Sequence, residues 1–316
     1  LWCHFNDGKG MGIHGTTATA ARFSIKFLQI PFIALNSIHR SLPNPHPKAI
    51  RHLGDGDDDT FFKNHGVTKY GVDVGVFLQF GNRIEQSCFN PARPWQLEHA
   101  YTQGMMLGVL LQEEVRSALV LGLGGGSLVH ALRHVLPQIK IEAVDCRMGI
   151  LRIAQDFFAV IPDRKLHLHC DDAERFIRHH HEVHDLILVD LYLAEGAHAA
   201  QHCSDFLARC REQLSENGVL LINQWCSTQR EADIAREATG QAFDERVLHL
   251  HITGGNQIAC CFKSALPKPA PNRLFRDARK LGMQLGIPLE RLARNFWRQN
   301  AAALKLGALR EKHPGT

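Results

Sequence analysis

Three aspartates and a run of glycines are the residues best spaced to do chemistry together. The stretch "LGLGGGS", residues 121–127, closes an apolar run and opens an amphipathic one. Gly122, Gly124, Gly125 and Gly126 allow a tight strand-to-helix turn, and a ligand can approach their backbone without meeting a Cβ. Ser127 reads as the N-cap of the following helix, whose free N–H groups would face that ligand. Taken alone, such a turn fits a dinucleotide, a nucleoside or close packing.

The acids narrow the choice. Asp145 ends "KIEAVD", about 20 residues beyond the glycines, where a carboxylate can accept two hydrogen bonds from a ribose diol. Asp172 ends the third strand, after "LHLHC", and precedes Ala173. There a carboxylate can accept from an adenine amino group while the Ala173 N–H donates to a ring nitrogen. Asp190 ends "DLILVD". Each acid alone would read as a helix cap; three at successive strand ends around a glycine loop describe a nucleoside site. Leu128 and Val129 stand where dinucleotide loops favour small residues. A nucleoside without a pyrophosphate fits better, which points to S-adenosylmethionine or a close analogue.

Alternating elements must position these residues. "GVFLQF" and "RIEQS" around Gly81-Asn82 read as a β-hairpin. Residues 94–111 have helical spacing. From 117 the pattern is strand then helix: "SALVLGL" and 127–136, "KIEAV" and 148–160, "LHLHC" and 173–181, "DLILV" and 201–214, "GVLLINQ" and 229–239. Strands near 246–251 and 257–263 close the chain as an antiparallel pair. The first five strands are almost wholly apolar, as strands covered on both faces are. The expected fold is α/β, a doubly wound Rossmann-like sheet of seven strands, with ligands at the carboxyl ends near the switch point. The expected division is a poorly ordered segment over 1–66, a small β-domain and linking helix over 67–112, a nucleoside-binding domain over 113–265 and a basic helical extension over 266–316.

Composition sets the boundaries. The chain has 316 residues, 45% hydrophobic and 22% charged, with a formal charge of +4. That charge argues against a polyanion binder overall. The basic residues beyond Lys268 read as a solvated helical extension, with RNA or an acidic partner as the other reading. Nine cysteines show no paired metal spacing, as expected of reduced cysteines in a cytoplasmic protein. His179-His180-His181, in "RFIRHHHEVHD", reads as a solvated helix end, so no metal is expected. "IKFLQIPFIALNSI" is too short to span a membrane and contains Pro31.

Over residues 70–263 these pieces resemble the spermidine synthase (polyamine aminopropyltransferase) family: "FGNRIEQS", "LGLGGGS", "EAVD", "CDDAERFI", "DLILVD" and "NGVLLINQW", in that order. The resemblance implies a small N-terminal β-domain, decarboxylated S-adenosylmethionine as donor, a diamine as acceptor and a homodimer. It makes Asp145 the ribose acid, Asp172 the adenine acid and Asp190 the acid that takes the proton from the attacking amine. Gln86 and Tyr101 would line the substrate cleft, with His99 or Glu98 as alternatives to Tyr101. Tyr192 would join them from the loop after Asp190.

Two positions depart from the family pattern. Ser127 stands where the family carries an acid that holds the donor's amine. Leu193 replaces the second acid of the loop after Asp190, with Glu195 the nearest substitute. A dicationic diamine calls for carboxylates, so both departures weaken its site. The fold alone leaves methyl transfer from S-adenosylmethionine, or nucleoside binding without catalysis, as other readings.

Overall fold

A computed structural model describes residues 24–26, 76–79, 85–193, 196–226, 228–252 and 255–304; at Gln86, Leu193 and a few others it describes the backbone alone. The Gly81-Asn82 turn lies outside the described residues, as does the poorly ordered segment expected over 1–66, apart from one strand. That strand, β1 (Ser24–Lys26), pairs antiparallel with β2 (Val76–Gln79), which pairs antiparallel with β3 (Glu85–Phe89). The pairing shifts between Leu78 opposite Ser87 and Gln79 opposite Glu85, so Gln86 is the extra residue of a bulge.

Helix α1 (Ala100–Met105) is shorter than its periodicity suggests. Successive turns at Asn90–Arg93 and Arg93–Gln96 occupy the chain before it, and a 3-10 turn over Met106–Val109 follows. Gly108 explains the tightening. A Cβ there would stand 2.7 Å from the side chains of Leu186 and Leu221, so this segment lies directly on the sheet.

The main sheet then alternates with helices in chain order. Its elements are β4 (Ser117–Leu121), α2 (Ser127–Val135), β5 (Lys140–Asp145), α3 (Met148–Phe158), β6 (Leu166–Cys170), α4 (Ala173–His179) and β7 (His184–Val189). A two-residue pair, β8 (Tyr192–Leu193) and β9 (Gly196–Ala197), precedes α5 (Ser204–Glu212), β10 (Leu214–Trp225), α6 (Gln229–Phe243), β11 (Val247–His251) and β12 (Asn256–Phe262). The strand order is β11-β12-β10-β7-β4-β5-β6. Strands β6, β5, β4, β7 and β10 are parallel, and β12 runs antiparallel to both of its neighbours. The chain winds outward from β4 through β5 and β6, then reverses at β7, so the switch point lies between β4 and β7.

Alternation along each strand explains the unbroken apolar runs. Ala118 and Val120 enter a core shared with α2, α3 and the residues of α1. Leu119 and Leu121 enter a second core with α4, α5 and α6. Both sheet faces are therefore covered.

After β12 come α7 (Pro271–Leu285) and α8 (Leu289–Gln299), with Gly286 at φ 69° between them. Leu274, Leu285, Leu289 and Phe296 are buried in the first core. Asn300 ties the end of α8 to β11, accepting from His249 N at 3.0 Å and donating to His249 O at 2.7 Å. The pair thus packs on the body of the protein along its apolar side. On the outer side, Arg279 and Arg294 both pair with Glu290. Among the described residues no helix is long and apolar enough to cross a membrane.

Candidate active site

The glycine loop owes its shape to packing as much as to ligand access. Gly122 has φ 94°, and a Cβ there would stand 2.2 Å from the Asp190 carbonyl oxygen. The ends of β4 and β7 therefore touch at the switch point. A Cβ on Gly125 would meet the Phe158 ring at 2.7 Å, and one on Gly126 would meet Val160 at 2.4 Å. Gly126, at φ 74°, is the N-cap of α2, with no side-chain cap. Ser127 is thus the first helical residue and not the cap expected from the sequence: the left-handed turn falls one residue earlier, where only glycine takes it without strain.

The N-terminal sheet docks on this loop. Ser87, buried on β3, accepts a hydrogen bond from Gly125 N at 2.9 Å. Phe89 packs against His130 and Phe158 with ring centroids 5.5 and 5.6 Å away. Gln86 sits beside Ser87 on the bulge; its side chain is outside the described residues.

One cleft at the carboxyl ends of the strands gathers most of the expected residues. Gly122, Gly124, Asp145, Asp172, Ala173, Asp190, Tyr101 and Tyr192 all line it, and so does Ser127. Gly126 lies beneath, against Val160. Glu98 is exposed and off the cleft, whereas His99 lines it and stacks on Tyr101, ring centroids 5.7 Å apart. Glu195 falls outside the described residues, as does the Leu193 side chain.

Asp145 is 5% exposed. Its Oδ1 accepts from Arg147 N at 3.1 Å and from Arg147 Nε at 3.4 Å, while among the described residues Oδ2 has a single long contact, from Gly124 N at 3.5 Å. One carboxylate oxygen thus keeps accepting capacity toward the cleft. Asp172 caps α4, its Oδ1 accepting from Arg175 N at 3.0 Å. The capping role weighed for these acids is real here, and it leaves Oδ2 for another donor. Ala173 occupies the first helical position, where an N–H has no partner within the helix.

Asp190 differs from the other two. Burial pushes its carboxyl up to about 6, against the opposing effect of hydrogen bonds from Asn223 and Tyr101. Asn223 Nδ2 donates to Asp190 Oδ1 at 2.9 Å, and Asn256 Nδ2 donates to Asn223 Oδ1 at 2.9 Å. Burial also holds the Tyr101 hydroxyl well above the ordinary phenol range, with the Asp190 charge adding to it. The Tyr192 hydroxyl donates to Asn223 O at 3.1 Å. A carboxyl near neutrality, held by amide and phenol donors, can take up a proton at physiological pH.

Several contributors escape sequence reasoning. Ser87 and Arg147 carry no local signal. Asn223 does carry one, as a polar residue inside the apolar strand "GVLLINQW". His198 joins the cleft from the far end of the β8–β9 pair, its backbone N–H held by Leu191 O at 3.0 Å.

The strand order, with five parallel strands and β12 reversed, is that of a Rossmann-like α/β fold. Among solved structures, a probable spermidine synthase from Corynebacterium glutamicum matches with a TM-score of 0.59 at 18% identity, over 73% of this chain and 88% of that one. Human methyltransferase-like protein 13, solved in complex with SAH, matches with a TM-score of 0.53 at 22% identity, over 60% and 94%. No protein-family model matches the chain. In sequence, the polyamine aminopropyltransferase of Neisseria meningitidis serogroup A is 28% identical over 218 residues, 68% of this chain and 82% of that protein. The chain is thus distantly similar to the polyamine aminopropyltransferases, as its motifs suggest.

Proposed function

We propose that this protein transfers an alkyl group from an S-adenosyl sulfonium donor to an amine, as an aminopropyltransferase does. The observation that carries the reading is Asp190. It stands at the switch point with its carboxyl pushed up to about 6 and is held by Asn223 and Tyr101. An ammonium acceptor must lose a proton before its nitrogen can attack carbon, and Asp190 is the group suited to accept it. Asp145 and Asp172 fit the ribose and adenine of the donor through their spare oxygens, and Ala173 N–H fits a ring nitrogen. The glycine backbone and the start of α2 form the floor. The protein then contributes proximity and in-line orientation. The sulfonium, once bound, supplies the electrophilic carbon: as the C–N bond forms the C–S bond breaks, and the nucleoside leaves as a neutral thioether.

The names of the sequence relatives, polyamine aminopropyltransferases, support aminopropyl transfer; in this reading the donor is decarboxylated S-adenosylmethionine and the acceptor a small polyamine. One observation favours methyl transfer as the second reading. Ser127 lines the cleft where an acid would bind the donor's amine, and it does not repel the carboxylate of intact S-adenosylmethionine. A mass-spectrometric assay with both donors against a panel of polyamines separates the two. Aminopropylated product only from the decarboxylated donor supports the first reading. Methylated product supports the second. No product and no donor binding by calorimetry would refute both.

A further inference from the structure

On the α4 side of the sheet, away from the cleft, a carboxylate occupies a core position. Alternation along β5 puts Glu142 on the same face as Val144, which packs in the second core. Glu142 is 9% exposed and stands about 10 Å along the strand from Asp145, at roughly 3.3 Å per residue. Three histidines surround it. Its Oε1 lies 3.1 Å from His169 Nε2. Its Oε2 lies 2.7 Å from His180 Nε2 and 3.3 Å from His184 Nε2. The two Nε2 atoms are 3.4 Å apart.

His180 is the middle member of the triple-histidine run. His179 and His181 are exposed and match the solvated helix end expected there; His180 turns inward. Two contacts fix it. Its ring stacks on Phe176 with centroids 4.5 Å apart. Gln213 Nε2 donates to the carbonyls of Ile177 and His180, and Gln213 O accepts from His184 N at 2.8 Å. Gln213 therefore brings the two histidines together across the turn between α4 and β7.

We propose that Glu142, His180 and His184 form a binding site for a divalent transition-metal ion, Zn2+ foremost. With metal–ligand bonds of about 2.0–2.1 Å, the donor atoms of a tetrahedral site stand roughly 3.3 Å apart. Two of the three observed separations, 3.3 and 3.4 Å, match that edge. The three donor atoms converge, all within 4.8 Å of one another, and the 2.7 Å contact between His180 and Glu142 Oε2 is one that an ion between them would replace. Two imidazoles and a carboxylate are a donor set that zinc accepts, with a fourth position left for water. His169 braces the other carboxylate oxygen, as an outer partner of a ligating group does. The ion would tie β5, the end of α4 and the start of β7 into one unit. This inference is independent of the transferase reading.

The test uses the full chain, stripped with chelator and titrated with Co2+ and then Zn2+. One equivalent of Co2+ should give the intense visible absorption of four-coordinate cobalt, and Zn2+ should displace it. Zn2+ should also raise the melting temperature of the unmodified protein. His180→Ala should weaken binding at least about tenfold, as loss of even an outer partner does. The double variant His179→Ala/His181→Ala should bind as the parent does. No cobalt spectrum and no zinc-dependent melting shift in the parent would overturn the site. So would retention of binding in His180→Ala, or its loss in the double variant, which would place the ion on the exposed histidines.

Discussion

Asn223 Nδ2 donates to Asp190 Oδ1 at 2.9 Å across the ends of β10 and β7. The amide is itself oriented by Asn256 on the reversed strand β12, so its NH2 and not its oxygen faces the carboxyl. A fixed donor favours the ionised carboxylate, while burial favours the protonated form. The balance leaves Asp190 near 6.

Removing the donor tips that balance. Asn223→Ala should move the acid limb of the kcat/KM profile above 6, by about one to two pH units for a hydrogen bond to a charge worth roughly 1.5–3 kcal/mol. An unmoved limb would separate Asn223 from the titrating group.

Asp190 should cost the fold stability at neutral pH. Its folded value is raised above the ordinary carboxylate range, so the native state binds more protons between about 4 and 6. Its contribution therefore worsens as pH rises through that window and is fully unfavourable above it. Asp190→Asn should melt higher than the parent at pH 8, with the difference gone near pH 4, and should abolish turnover. Equal melting at pH 8 would show that the carboxyl is not desolvated.

The glycine turn offers a paired test. Gly126→Ala forces a left-handed residue against Val160 and should cost about 1–3 kcal/mol of unfolding free energy. Ser127→Ala should stay within about 0.5 kcal/mol, because Ser127 caps nothing. A loss near 1 kcal/mol in the serine variant, typical of a removed cap, would contradict the geometry. Chemical denaturation measures both.

Donor affinity tests the acids directly. Asp145→Ala should weaken donor binding at least about tenfold by calorimetry, the scale of a lost hydrogen bond to a charge. Ser127→Asp should shift preference toward the decarboxylated donor by a similar factor. An unchanged ratio would mean that position 127 does not face the variable end of the donor.

Much of this was legible in the sequence because burial on both sheet faces leaves unbroken apolar runs such as "LILV". Asp145 and Asp190 could be placed because each follows such a run, and Asp172 because it closes the strand "LHLHC"; the cleft brings all three together. The rest depended on distant partners. Both contacts that hold His180 inward come from outside the run of three histidines: Phe176 under its ring and Gln213, 33 residues beyond, on its carbonyl. The helix cap shifted by one residue because a string of glycines offers no local mark of which one turns left-handed. The helical spacing of 94–111 overstated α1, since Gly108 trades a helical turn for contact with the sheet.

The contact between Gly122 and the Asp190 carbonyl bears on how such a site can diversify. With 2.2 Å available where a Cβ would stand, the loop floor and the backbone of the proposed base form one rigid seat. A substitution at 122 would displace Asp190 along with the floor, so the two cannot be adjusted separately. New donor preference has to come from residues standing on the seat. Ser127, Tyr192 and His198 line the cleft on that seat and are the positions left to vary.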